Sequence, residues 1–229
     1  MLSQLKSLVL PNRPVRCRIV SGPFRGANVM MNPLTSLRYI FGLYEHELNP
    51  WIAQTISQVD TLFDVGANHG YFSFGLMAAW RRMGRKGIAW AFEPQMRECS
   101  LMNSVASLNE SDDIHVRIEN CFVSDREDNA SITLDGFLKR RGLYPTSRAL
   151  VKIDVEGAEL HVLQGAESLL HPENRFFVEV HSADLLKRTQ AFFLVHGHPV
   201  QLVSQRPLPI LGREARSKDN WWLVSRCPK

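Results

Sequence analysis

The sequence predicts an α/β protein with a mostly parallel, seven-stranded sheet, an antiparallel edge strand and helices on both faces. Three observations predict it. Short apolar runs alternate with stretches of helical periodicity from residue 61 to residue 195, the pattern of parallel strands joined by crossover helices. The runs are each five residues long, and the first two stop at Gly66 and at Glu93-Pro94, as buried strands do before a turn. Two strand-like segments near the C-terminus, Gln201–Val203 and Trp221–Val224, have no helical pattern between them, which places an antiparallel element at one edge.

The elements follow in order. Residues 1 to about 35 carry Pro11, Pro14, Pro23 and Pro33 with Arg13, Arg16, Arg18 and Arg25 among them. They read as an irregular or short-stranded lead-in, bounded at residues 1–38, with one domain over residues 39–229. Thr61–Val65 is the first buried strand. Phe72, Leu76, Met77, Trp80 and Met83 recur behind it at helical spacing, and the run Arg81, Arg82, Arg85, Lys86 marks that helix's solvated end. Ile88–Phe92 is the second strand, and Met96, Cys99, Met102, Val105, Ala106 and Leu108 form the next helical face. Ile114–Ile118 is the third strand, and Leu134–Arg140 is a short helix. Ala149–Ile153 is the fourth strand, backed by Glu159, Val162, Leu163, Ala166, Leu169 and Leu170. Phe176–Val180 is the fifth, and the helix over 183–195 stops at Gly197 and Pro199.

Composition narrows the function. The chain has 229 residues, 45% hydrophobic and 22% charged, which suits one globular domain and excludes a disordered, collagen-like or coiled-coil chain. No apolar run approaches 18 residues, so no membrane-spanning helix is expected. A net charge of +4 is too small to mark a nucleic-acid partner. Cys17, Cys99, Cys121 and Cys227 are scattered without a C-x-x-C pair and read as reduced thiols of a cytoplasmic protein. Met1–Pro11 lacks the apolar core and cleavage site of a signal peptide.

In an open parallel sheet the ligand sits beyond the carboxyl ends of the strands, so the chemistry is sought there. Asp64-Val-Gly66-Ala-Asn68-His69-Gly70 follows the first strand. Its G-x-x-x-G spacing differs from the dinucleotide fingerprint, and the carboxylate of Asp64 suits an ammonium or sulfonium better than a pyrophosphate. Glu93, after the second strand, is placed to accept both hydroxyls of a ribose. After the fourth strand come Asp154 and Glu156, on the same face as Lys152 by alternation. Clustered carboxylates raise each other's pKa and make a usable base, and they can also hold a divalent cation. Capping of the following helix accounts for one of the two as well. His181, after the fifth strand, reaches the same edge and can act as a base near neutral pH. His196 and His198 flank a helix end, where a cationic ring is favourable.

In this order the motifs resemble the FkbM-type methyltransferases, S-adenosylmethionine-dependent enzymes of the class I, Rossmann-like fold. The matching residues are Tyr44-Glu45, Phe63–Phe72, Ala91–Pro94, Thr133–Phe137, Lys152–Glu159, Leu163–Ala166 and Val178–His181. The resemblance implies that Asp64, Gly66, Asn68 and Gly70 line the methionine end of the cofactor. It further implies that Glu93 holds the ribose, that Ser124 and Asp125 lie near the adenine, and that Glu45 joins the cofactor site. The acceptor it implies is a hydroxyl of a small molecule, sugar or natural product, with no nucleic acid. Asp154 or His181 would remove the proton with Glu156 in support. A cation held by Asp154 and Glu179 is the lesser alternative, and no metal ligand is expected. Two departures stand out. Phe122 replaces a small residue, and Thr133 follows Asp125 by only eight positions, where family members carry a longer stretch; the acceptor side is therefore expected to be open or completed by a partner. The other readings of the chain are a nicotinamide-dependent oxidoreductase, a non-catalytic cofactor-binding scaffold and, third, a nucleic-acid methyltransferase.

Overall fold

The computed structural model describes residues 10–143, 148–208 and 220–226. The expected features of Met1–Pro11 and Cys227 lie wholly or mostly outside them. β1 (Val15–Arg18) and β2 (Asn28–Met31) form an antiparallel hairpin. After it come α1 (Leu37–Ile40), a single 3₁₀ turn, and α2 (Asn49–Ile56), which has Pro50 in its first turn, where a missing N–H costs nothing.

The central sheet contains β3 (Thr61–Val65), β4 (Gly87–Phe92), β5 (Ile114–Glu119), β8 (Ala149–Ile153), β9 (Arg175–Val180), β10 (Val200–Val203) and β11 (Trp221–Ser225). The crossovers are α3 (Tyr71–Arg82), α4 (Met96–Asn103) with α5 (Ala106–Asn109), α6 (Leu134–Arg141), α7 (Glu159–Gln164) and α8 (Ala183–Val195). Between β5 and α6 lie two two-residue strands, β6 (Phe122–Val123) and β7 (Ser131–Ile132), paired to each other. The turn between them is closed by the Asp128 carboxylate, which accepts the Ala130 and Ser131 N–H groups at 2.8 Å each.

The sheet order is β10-β11-β9-β8-β3-β4-β5. From β3 the chain first builds outward through β4 and β5, then returns to lay β8 and β9 on the other side. All of these pairings are parallel. The antiparallel pair occupies the far edge, and β11 lies one place in, between β9 and β10. The direction of the chain reverses between β3 and β8, which opens a crevice at their carboxyl ends.

Each inner strand is buried on both faces, so alternate residues feed two cores. Leu62, Ala89, Ala91, Leu150 and Phe177 join the core under the hairpin, α2, α3 and α4. Phe63, Val65, Trp90, Phe92, Val151, Ile153 and Phe176 join the core under α6, α7 and α8. α3 is covered on nearly all sides because the hairpin closes over it: a Cβ on Gly75 would stand 2.3 Å from the Phe24 ring. Among the described residues no helix is long and apolar enough to cross a membrane.

Candidate functional site

Gly66 sits at the reversal point. Its N–H and that of Ala67 donate to the Phe92 carbonyl at 3.0 and 3.1 Å, and the Asp154 N–H donates to the Val65 carbonyl at 3.0 Å. These bonds draw the ends of β3, β4 and β8 together. Gly66 has φ +74°, and a Cβ there would lie 1.8 Å from the Asp154 carbonyl oxygen, so both conformation and space require glycine. A cavity of about 360 Å³ opens beside it, lined in part by Gly66, Asn68, Glu93, Phe122, Asp154 and Glu156. That size is ordinary for a small-molecule site.

Glu93 is 4% exposed. One of its oxygens accepts the Asn68 N–H and the other the Gln95 N–H, each at 2.8 Å. The carboxylate is fixed by main chain alone, and each oxygen keeps an acceptor position. Next to it Cys121, Phe122 and Val123 form an apolar wall, with Phe122 56% exposed at the lip. A pair of neighbouring hydroxyls and a flat apolar ring are what such a cavity accepts.

A second, smaller cavity of about 60 Å³ adjoins it. Tyr39, Tyr44, Glu45, Asn68, Lys152 and Asp154 line it among others. The Tyr39 and Tyr44 rings are stacked at 3.8 Å, and Tyr71 meets Tyr39 edge-on at 4.9 Å. Glu45, Asn68 and Glu156 all have positive φ, between 47° and 50°. Three strained non-glycine residues around two joined cavities show backbone held in place by its surroundings.

Lys152 joins the parts. It donates to the Gly66 carbonyl at 2.8 Å and lies 3.3 Å from Asp64 and 3.4 Å from Asp154. Burial alone would lower its pKa, but the charges of Asp64, Asp154 and Glu45 outweigh it and hold the ammonium well above its ordinary value. Asp64 is fully buried and also accepts the Ser73 hydroxyl at 2.6 Å. It touches the site through Lys152 and lines neither cavity.

His181 stands at the end of β9. Its Nδ1 contacts Glu159, and its Nε2 lies 3.6 Å from Asp154 and 3.7 Å from Glu156. Burial disfavours the charged ring, but the Glu159 hydrogen bond and charge, then Glu179 and Asp154, raise its pKa above the ordinary value. Asp154, Glu179 and His181 bring donor atoms within 4.8 Å of one another. Lys152 brings its ammonium to 3.4 Å from the Asp154 carboxylate of that group.

The predicted site residues are thus distributed unevenly. Gly66, Asn68, Glu93, Asp154 and Glu156 line the larger cavity, and Glu45 the smaller. His181 stands against Asp154 and Glu156. Gly70 opens α3, packed so that a Cβ would press on Phe74 and Met102. Ser124 and Asp125 lie outside the cavity: the Ser124 hydroxyl donates to Asp125 at 3.0 Å, and Asp125 turns outward to His161 at 3.1 Å. The three residues just before them, Cys121, Phe122 and Val123, line the cavity. His198 also departs from its expected cationic role: burial, with Arg175 nearby, pushes its pKa down to about 4, so it is neutral. Sequence reasoning missed Tyr39 and Tyr71, and it gave Lys152 a face but no role.

Residues 104–194 match the family model described as the methyltransferase FkbM domain. No curated protein matches the chain. Three solved structures share its fold. Precorrin-6y C5,15-methyltransferase from Geobacter metallireducens GS-15 is 14% identical over 77% of this chain and 87% of that one, with a TM-score of 0.51. Methyltransferase FkbM from Methylobacillus flagellatus KT is 18% identical over 73% of this chain, with a TM-score of 0.50, and this chain spans only 44% of that longer protein. An rRNA methylase from Streptococcus thermophilus is 11% identical over 80% of this chain and 97% of that one, with a TM-score of 0.50. At these identities the likeness establishes the fold, that of the class I methyltransferases, and residues 104–194 of the chain are similar to the methyltransferase FkbM domain.

Proposed function

We propose that this protein transfers a methyl group from S-adenosylmethionine to a hydroxyl of a small molecule, sugar or natural product, in the cytoplasm. The observation that carries the cofactor is Glu93, buried and main-chain-fixed beside an apolar slot. Its free acceptor positions suit the two ribose hydroxyls, with the adenine against Cys121, Phe122 and Val123. Gly66 and Asn68 border the next part of the cavity, where Asp154 and Lys152 present opposite charges to the zwitterionic methionine end. When bound, the cofactor supplies the methyl on a sulfonium.

The chain's own residues have two tasks. They position the acceptor oxygen, which is most of the work of an in-line displacement, and they take its proton, since an alkyl hydroxyl is a poor nucleophile at neutral pH. Asp154 and His181 are the proton-accepting groups, with Glu156 beside them at the open rim, 89% exposed. The exposure of Glu156 at this rim suits a bulky or glycan acceptor. The family match favours methyl transfer over hydride transfer and over a bare scaffold. Calorimetry with S-adenosylhomocysteine tests the reading. Micromolar binding is expected to the wild type, with a loss of about tenfold or more, roughly 1.4 kcal/mol, in Glu93→Ala. Absence of binding to the wild type, or binding of a nicotinamide dinucleotide in its place, would overturn it.

A further inference from the structure

Glu159 has no part in the reading above, yet it grips His181. It opens α7, is 0% exposed, and its Oε1 accepts the Gly157 N–H at 2.9 Å. The same oxygen meets the His181 Nδ1. The other ring nitrogen, Nε2, makes no hydrogen bond among the described residues. Asp154 at 3.6 Å and Glu156 at 3.7 Å are beyond good hydrogen-bonding distance, and both line the larger cavity. The ring is nine-tenths buried, with its side chain 10% exposed, so it cannot turn freely between the two sides. An acidic residue in the first turn of a helix commonly serves the macrodipole. That accounts for the bond to Gly157 but not for complete burial against an imidazole.

We propose that Glu159 is a positioning residue that holds His181 as its Nδ1–H tautomer, so that Nε2 faces the reaction with a free lone pair. The hydrogen bond at one ring nitrogen decides which nitrogen is left as the base, and a base oriented by a buried carboxylate is a recurrent arrangement for activating hydroxyls. The step balances. As the acceptor oxygen forms its bond to the methyl and the carbon–sulfur bond breaks, the hydroxyl proton passes to Nε2, the sulfonium becomes a neutral thioether, and the imidazolium later releases the proton to water. The charged groups facing the ring are Glu159 from α7, Asp154 and Glu156 from the loop after β8, and Glu179 from β9 itself. All are acidic, which favours the imidazolium once formed. The inference rests on the reading of His181 as a base in methyl transfer.

The test is a long-range ¹H–¹⁵N correlation spectrum of the ¹⁵N-labelled protein across pH, with the His181 signals assigned by their loss in His181→Asn. In the wild type the neutral ring is expected to carry its proton on Nδ1. Glu159→Gln keeps an accepting oxygen and is expected to retain that tautomer, but to lower the titration midpoint by about half a pH unit or more. Glu159→Ala is expected to lose both the tautomer and the raised midpoint. A wild-type ring protonated on Nε2, or one midpoint shared by wild type and Glu159→Gln, would overturn the proposal. Should the alanine variant fail to fold, the glutamine variant decides. S-adenosylhomocysteine binding, measured on the same samples, is expected to stay within about twofold. Its absence from the wild type would refute the cofactor reading while leaving the tautomer result to judge Glu159 by itself.

Discussion

At Gly66 one hydrogen in place of a side chain lets three strand ends meet. The Asp154 carbonyl occupies the space a Cβ would need, and the positive φ adds its own penalty. Gly66→Ala is therefore expected to cost about 2–4 kcal/mol in urea unfolding and to abolish S-adenosylhomocysteine binding; a variant that is stable and binds would contradict this geometry. Asp154 makes a different demand. Asp154→Asn keeps the size and one accepting oxygen but loses the charge that faces Lys152 and His181. Cofactor binding is expected to survive in Asp154→Asn while turnover falls about a hundredfold, and unchanged turnover would remove Asp154 from proton transfer. Gly66, Asn68 and Glu93 were readable in the sequence because each directly follows a buried strand. Lys152 was not, because its role comes from Asp64 and the Gly66 carbonyl on the neighbouring strand, which no local pattern reveals.

The elements show the same division. All seven strands of the central sheet were legible as short apolar runs; the inner ones are buried on both faces and need no polar alternation. α2 was not, although Ile52 and Ile56 bury one face of it, because eight residues give only two turns of periodicity. β6 and β7 were missed because two residues carry no pattern. Helix starts with polar caps are more securely encoded. The Ser182 hydroxyl accepts the Leu185 N–H at 3.2 Å and opens α8 directly after His181. Ser182→Ala is expected to cost about 1 kcal/mol in chemical denaturation, and a change below about 0.3 kcal/mol would show that tertiary packing alone holds that end.

For the whole molecule, buried imidazoles govern the acid side of stability. Burial, aided by Lys152, pushes His69 down to about 4, and burial, aided by Arg175, does the same to His198. Their unfolded values lie near 6.5, so between about pH 6.5 and 4 the unfolded chain binds more protons and stability falls as pH drops. His181 has the opposite sign. Its folded pKa is raised, so its contribution is complete below about 6.5 and is lost as pH rises through the folded value. The acid slope therefore belongs to His69 and His198. The urea midpoint is expected to be lower at pH 4.5 than at pH 7, and a midpoint that rises on acidification would contradict this.

By itself, the sequence determined the sheet, the order of its crossovers and the set of strand-end residues from which a site can be built. Those properties follow from periodicity and from motifs a few residues long. Only the tertiary structure decided which of those residues share a cavity. Asp125 and Glu93 both follow strands, yet Asp125 turns outward to His161 while Glu93 is pinned inward by two main-chain N–H groups. Glu159 and His181 are 22 positions apart and meet only because α7 and the end of β9 come together at one edge of the sheet. Side-chain direction at a strand end is set by contacts from other elements, and those contacts exist only once the chain has folded.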